Sequence, residues 1–159
     1  MKRKRRIPSQ AELIARMQMA FAPTRPPPLL DRRQVMELSL IHNANLDAVA
    51  RGFGSEELLW QIVGGLLTWS HVAEQLGAGI DEMREQLDLG TRLVERYGRT
   101  GRVVFSGLDY QLAKGGVTVM DQLSEIVDVP TAVAAADWSE AKVKEMAAAT
   151  RAQAEAQAA

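Results

Sequence analysis

The sequence predicts an all-α protein: a bundle of five or six helices with a helix-turn-helix-like unit and a basic N-terminal arm. Three observations point to this. Apolar residues recur every three or four positions through long runs, as one buried helical face requires. Ser or Asp, followed three residues later by an acid or amide, opens several of these runs, and glycine or proline closes them. The one extended-looking piece, Val103-Val104-Phe105, is too short to build a sheet.

The elements follow in order. Lys2 to Arg6 repel one another and have little to bury, which predicts an unstructured start. Ser9 and Glu12 form a capping box, so a short helix over 10–22 is expected with Leu13, Ile14, Met17 and Phe21 on one face. Pro23 and Pro26-Pro27-Pro28 stop it and give a stiff linker. Asp31 with Gln34 starts the next run, from Val35 to Val49, as one long helix or two abutting ones closed by Gly52 or Gly54. Ser55 caps a helix whose Leu58, Leu59, Ile62, Val63, Leu66 and Leu67 make it apolar on most sides. That places it at the centre of the core. Gly64-Gly65 inside it costs about 1 kcal/mol per glycine, which close helix packing can offset. A helix continuing towards Gly98 is expected next, then a loop over 99–105. Ser106 with Asp109 caps a further helix carrying Leu108, Leu112, Val119, Met120, Leu123 and Ile126. Pro130 is expected to end the packed region. An alanine-rich helix to about 148 and a fraying tail should follow.

This gives three parts: residues 1–28 as arm, short helix and linker, 29–130 as the helical core domain, and 131–159 as C-terminal helix and tail. The composition, 47% hydrophobic and 25% charged, is that of an ordinary globular chain. With no cysteine, thiol catalysis and thiolate metal sites are excluded, and two histidines make no recognisable zinc set. No metal and no cofactor is expected. No apolar run is long enough to span a bilayer, and the basic start lacks the apolar core of a secretory signal, so a cytoplasmic protein is expected. The net charge of −1 conceals a division. Residues 1–33 hold nine basic against two acidic groups, and the remainder holds ten against eighteen. Such a basic arm on an acidic body can seek phosphate, or an acidic protein face.

Residues 69–87 have helix-turn-helix spacing. Ala73 precedes Gly77 by four, Leu76 stands before the turn, and Met83 and Leu87 follow it. With Val72-Ala73, Leu76-Gly77-Ala78, Glu82-Met83 and Leu87, the stretch resembles the DNA-binding segment of the Fis family of bacterial nucleoid-associated regulators. The resemblance covers about twenty residues and sits mid-chain, whereas the family's motif ends the protein. It implies Ala73 and Gly77 as packing and turn positions, with Ile80 to Gln86 facing the major groove. The chain departs from that pattern in charge: Asp81, Glu82, Glu85 and Asp88 stand against a lone Arg84. Duplex binding depends on neutralising phosphates, which opposes entry of such a helix.

Compensating cations lie elsewhere, in the Lys2, Arg3, Lys4, Arg5, Arg6 run and in Arg92, Arg96, Arg99 and Arg102. Guanidinium groups match phosphate in paired geometry. The plainer alternative is that these arginines favour a helix C-terminus and pair with neighbours such as Glu95 and Asp88. His42, in a stretch with Asn43, Asn45 and Asp47, reads as a hydrogen-bonded helix junction rather than a catalytic cluster. Trp60 and Trp69 read as core anchors. Trp138, alone in an alanine-rich helix, reads as docking on the domain or on a partner. No nucleophile–base pair, metal set or phosphate loop appears, so an enzyme is not expected. The expected function is a DNA-associated regulatory or accessory protein of the transcription-regulation kind. Its nucleic-acid contacts are Lys2, Arg3, Lys4, Arg5, Arg6, Arg84, Arg92, Arg96, Arg99 and Arg102. The alternative is a protein-interaction module or assembly subunit, with a homo-oligomer or protein partner meeting the C-terminal helix. No membrane partner is expected.

Overall fold

A computed structural model describes residues 26–158, and the fold is all-α. Among the described residues five helices follow one another: α1 (Arg32–Ala50), α2 (Glu56–Leu76), α3 (Ile80–Thr100), α4 (Gly107–Ile126) and α5 (Val129–Ala158). The expected arm and the helix over 10–22 lie outside these residues.

Local chemistry sets the boundaries. The Asp31 carboxylate accepts from the Gln34 N–H at 2.8 Å, and the Gln34 side chain accepts from the Asp31 N–H at 2.9 Å. Of the two arrangements expected over 35–49, the single unbroken helix is the one that forms. Ser55 accepts from the Leu58 N–H at the start of α2, and Ser106 and Asp109 close a reciprocal box at the start of α4. Gly77 (φ 66°) ends α2 and Gly101 (φ 64°) ends α3, both in the left-handed region where a side chain is strained.

The C-terminal expectation needs correction. Pro130 opens a helix instead of ending the packed region. It lies in the first turn of α5, where its missing N–H has no partner to lose. Asp128 caps that turn, accepting from the Thr131 N–H at 2.8 Å and from its hydroxyl at 3.0 Å. The helix then runs past 148 to Ala158.

Short turns make successive helices antiparallel, and α2 touches all four of the others. Its pairing with α5 keeps one register along its length. His71 stacks on Trp138, Thr68 shares a 2.7 Å hydrogen bond with Ser139, Gly64 faces Val143, and Glu56 pairs with Arg151. Leu59, Val72 and Ala73 of α2 are fully buried, with Met83, Leu89 and Leu93 of α3 and Val127 beside them. The adjacent Gly64 and Gly65 admit two helices at once. A Cβ on Gly65 would stand 3.1 Å from the His42 ring of α1, and one on Gly64 would stand 3.5 Å from Val143 of α5. The expected close packing at this pair is therefore present on two sides.

Gly116 of α4 lies against the buried Gln86 side chain of α3, which donates to the Leu112 carbonyl at 3.0 Å. A methyl group at 116 has no room unless Gln86 leaves. Gly116→Ala should therefore cost about 2 kcal/mol in urea unfolding, as overpacking does, and adding Gln86→Ala should recover part of that loss.

Candidate functional site

The 69–87 stretch forms the turn of a hairpin of two helices, α2 and α3, each of 21 residues, and α3 runs on through Gly98 as its apolar spacing predicts. Gly77 makes the turn, and the Ala73 carbonyl accepts from the N–H groups of Gly77 and Ala78. Mid-hairpin the helices approach closely, because a Cβ on Gly90 would stand 3.0 Å from Leu66 Cδ1. In the first turns of α3, Met83 and Gln86 are sealed inside, and Asp81, Glu82, Arg84, Glu85 and Asp88 face solvent. Arg84 pairs with Asp81 at 2.7 Å. The outer face of that segment thus presents mainly carboxylates.

The four arginines of the 92–102 segment divide. Arg92 and Arg96 turn towards Asp109, at 3.3 and 2.9 Å, and Arg96 also donates to the Val104 carbonyl at 2.6 Å. Their partner is therefore neither Glu95 nor Asp88 but a residue of the next helix. Asp109 is only 7% exposed. Burial works to raise its pKa, but hydrogen bonds from Arg96, Ser106 and Arg92 outweigh burial and hold the carboxyl below its ordinary 3.8. One carboxylate thereby ties the end of α3 to the start of α4 and pins the loop between them. Arg99 and Arg102 are exposed and form no ion pair among the described residues. Lys2, Arg3, Lys4, Arg5 and Arg6 lie outside those residues.

This pinned loop forms one end of the bundle, where α1 and α3 finish and α2 and α4 begin. The α1–α2 loop presses on it so closely that a Cβ on Gly54 would strike the Val103 carbonyl. Tyr110 donates to Asp47 at 2.8 Å, joining α4 to α1 at the same end. Val103 is buried beneath, yet Phe53 is 72% and Leu108 85% exposed, with Val104 beside them. Leu108 was expected on the packed face of its helix. It instead falls in the first turn of α4 and stays exposed. Arg51 and Arg102 are exposed in the same two loops, whereas Arg99 faces Gln153 and Gln157 of α5 across a groove. The sequence reading missed Phe53; the available signal was a phenylalanine held between Gly52 and Gly54 in a turn.

His42 sits in a second polar cluster, inside the molecule. Its Nε2 accepts from Trp69 Nε1–H at 2.9 Å, so the neutral ring carries its proton on Nδ1. Burial lowers its pKa, and the nearby Asp121 charge works weakly in the other direction. His42, Asn45 and Gln86 share a cavity of about 20 Å³ with seven apolar side chains. That is room for a single water, not for a substrate. The one buried polar side-chain atom without a partner among the described residues, Gln86 Oε1, belongs to this cluster. Trp138 finds its stacking partner within the chain, on His71 at 4.8 Å between ring centroids.

Among the described residues no group of three or more histidines or carboxylates is arranged to hold a metal ion. No described helix is long and apolar enough to cross a membrane. No protein-family model matches the chain, and no curated protein or solved structure matches it.

Two acid-sensitive contributions to stability follow. His42 is held neutral, so its contribution is complete above its unfolded value of 6.5 and declines as the pH falls below it. Thermal unfolding between pH 7.5 and 5 should show that decline, and His42→Gln should flatten it. Asp109 contributes above 3.8 and loses its effect as the pH falls through its lowered native value. At neutral pH, Asp109→Ala should cost about 2 kcal/mol in urea, since a buried charge pair breaks while Arg92 stays partly solvated.

Proposed function

We propose that this protein is an interaction module that captures an acidic, apolar protein segment at the bundle end bearing Phe53, Val104 and Leu108. The observation that carries this reading is the exposure of Phe53 and Leu108, at 72% and 85%, beside the loop that the Arg92–Asp109–Arg96 triad pins and that Gly54 presses upon. Single exposed apolar residues are common on protein surfaces. Here Phe53 and Val104 stand on two loops that touch at Gly54 and Val103, Leu108 follows in the first turn of α4, and Arg51 and Arg102 belong to the same loops. Rigid display lowers the ordering cost of binding, and burial of each side chain is worth about 2 kcal/mol. Arg51 and Arg102 favour a partner bearing Asp or Glu beside its apolar anchors.

Reading of duplex DNA draws less support from the same geometry. Arg99 lies fifteen residues along α3 from Arg84, about 22 Å from the acidic turn that would enter the groove. Arg92 and Arg96 are held by Asp109.

A display library of short helical peptides, presented to the purified protein, provides the test. Enriched peptides should combine Leu or Phe with Asp or Glu. The Phe53→Ser/Leu108→Ser variant, with unchanged circular dichroism, should bind them at least about tenfold more weakly. Equal binding by that variant defeats the proposal. So does a library that enriches nothing while random-sequence duplex DNA is shifted at about 50 mM salt.

A further inference from the structure

α1 is only partly covered in the bundle. Among the described residues it packs only on α2 and α4, and only Leu46 and Val49 along it are buried. Met36, Leu40 and Ala44 recur every four residues on its outer side with Ile41 beside them, all exposed, and Leu40 is 66% accessible. Residues four apart stack along one helical face, so these make a continuous apolar stripe about 12 Å long. The Arg33–Glu37 pair borders its first turn beside Met36 and Ile41, and the other faces of α1 are committed. Ser39 bonds to Asp121, Asn43 to Lys114 and Asp47 to Tyr110, all on α4, while His42 meets Trp69 on α2.

We infer that this stripe is the docking site of the chain's own residues 10–22, seated antiparallel on α1. Three features select this occupant over a foreign one. The first is pattern. Leu13, Met17 and Phe21 repeat at the same four-residue interval with Ile14 beside them, giving a matching stripe of about 12 Å. Run antiparallel, Phe21 meets Met36, Met17 meets Leu40, and Leu13 meets the small Ala44. The second is tethering. The Pro28 carbonyl accepts from the Val129 N–H at 2.8 Å, and the Leu30 N–H donates to the Val127 carbonyl at 3.3 Å. The described chain therefore enters at a fixed point beside the start of α1. The third is length. The eight residues from Pro23 to Leu30 form a connection at the upper end of the roughly two to eight residues typical between bundle helices. A segment so tethered meets the stripe at an effective concentration near millimolar, far above that of a second molecule. Seated this way, the helix points its N-terminus towards the end of α1.

The chain has no cysteine, so paired cysteines report this geometry directly. In the full chain, Met17→Cys with Leu40→Cys is oxidised at micromolar concentration. It is compared with Ala15→Cys plus Leu40→Cys, where the first thiol lies on the opposite face of the expected helix. Circular dichroism of the reduced proteins verifies that both are folded. The expected result is an intrachain disulfide that forms about tenfold faster in the Met17 pair, because residues two apart on a helix do not share a face. Equal rates describe an undocked tether and overturn the inference. Disulfides joining two chains put a second copy on the stripe and overturn it as well. Deleting residues 1–22 tests it without touching α1. Amide exchange over Met36 to Ala44 should quicken several-fold, and unchanged exchange overturns the inference.

Discussion

One helix has to be apolar on most sides for this bundle to exist. α2 is met by α1, α3, α4 and α5, and no other helix among those described has so many neighbours. Large side chains alone do not allow four helices around one axis, since interaxial distances of about 8–10 Å leave room only where something small is interposed. Gly64 and Gly65 supply that space on adjacent faces, to α5 and to α1. Their helix-propensity cost is local. What it allows is two interfaces in which Thr68 reaches Ser139 and His42 reaches Trp69, so buried polar groups find partners across the same approach.

Asp109 organises the other end of the molecule. Read along the chain it is a capping residue, and it does cap α4 through Ser106. In three dimensions it also draws in Arg92 and Arg96 from α3. Two cations that look available in sequence are thereby spent on the domain's own architecture. The loop they fix becomes a stiff platform. The exposed chemistry of the molecule is consequently uneven, with carboxylates along the first turns of α3 and arginines with apolar groups at the opposite end of the same helix.

Local signals were the legible part. Asp31 with Gln34, Ser55, Ser106 with Asp109, and Gly77 each declare a boundary through hydrogen bonds that reach three residues, or through a backbone angle. The central position of α2 was legible because its apolar residues cover more than one face. What failed to show was the outcome of long-range competition. Arg92 has carboxylates nearer in sequence, and only the packing of α3 on α4 makes Asp109 its partner. The length of α5 was hidden for a related reason. Its contacts rest on Ala135, Ser139 and Val143, small or polar groups that a search for bulky anchors passes over. Leu108 erred in the opposite direction, since the right spacing gave no sign that the helix begins before its neighbours do.

The register of α5 against α2 has a geometric result. Glu56, the first residue of α2, is already opposite Arg151, so residues 152–158 extend beyond the helix they were following. At about 1.5 Å per residue those turns run roughly 10 Å past the start of α2 as an exposed spar, flanked across a groove by Val94, Gly98 and Arg99 of α3. A second helical body spliced in frame onto this spar would inherit its phase. Each inserted residue would swing the passenger by about 100° and advance it by one rise, so the spar serves as a graduated mount for orienting a rigid fusion.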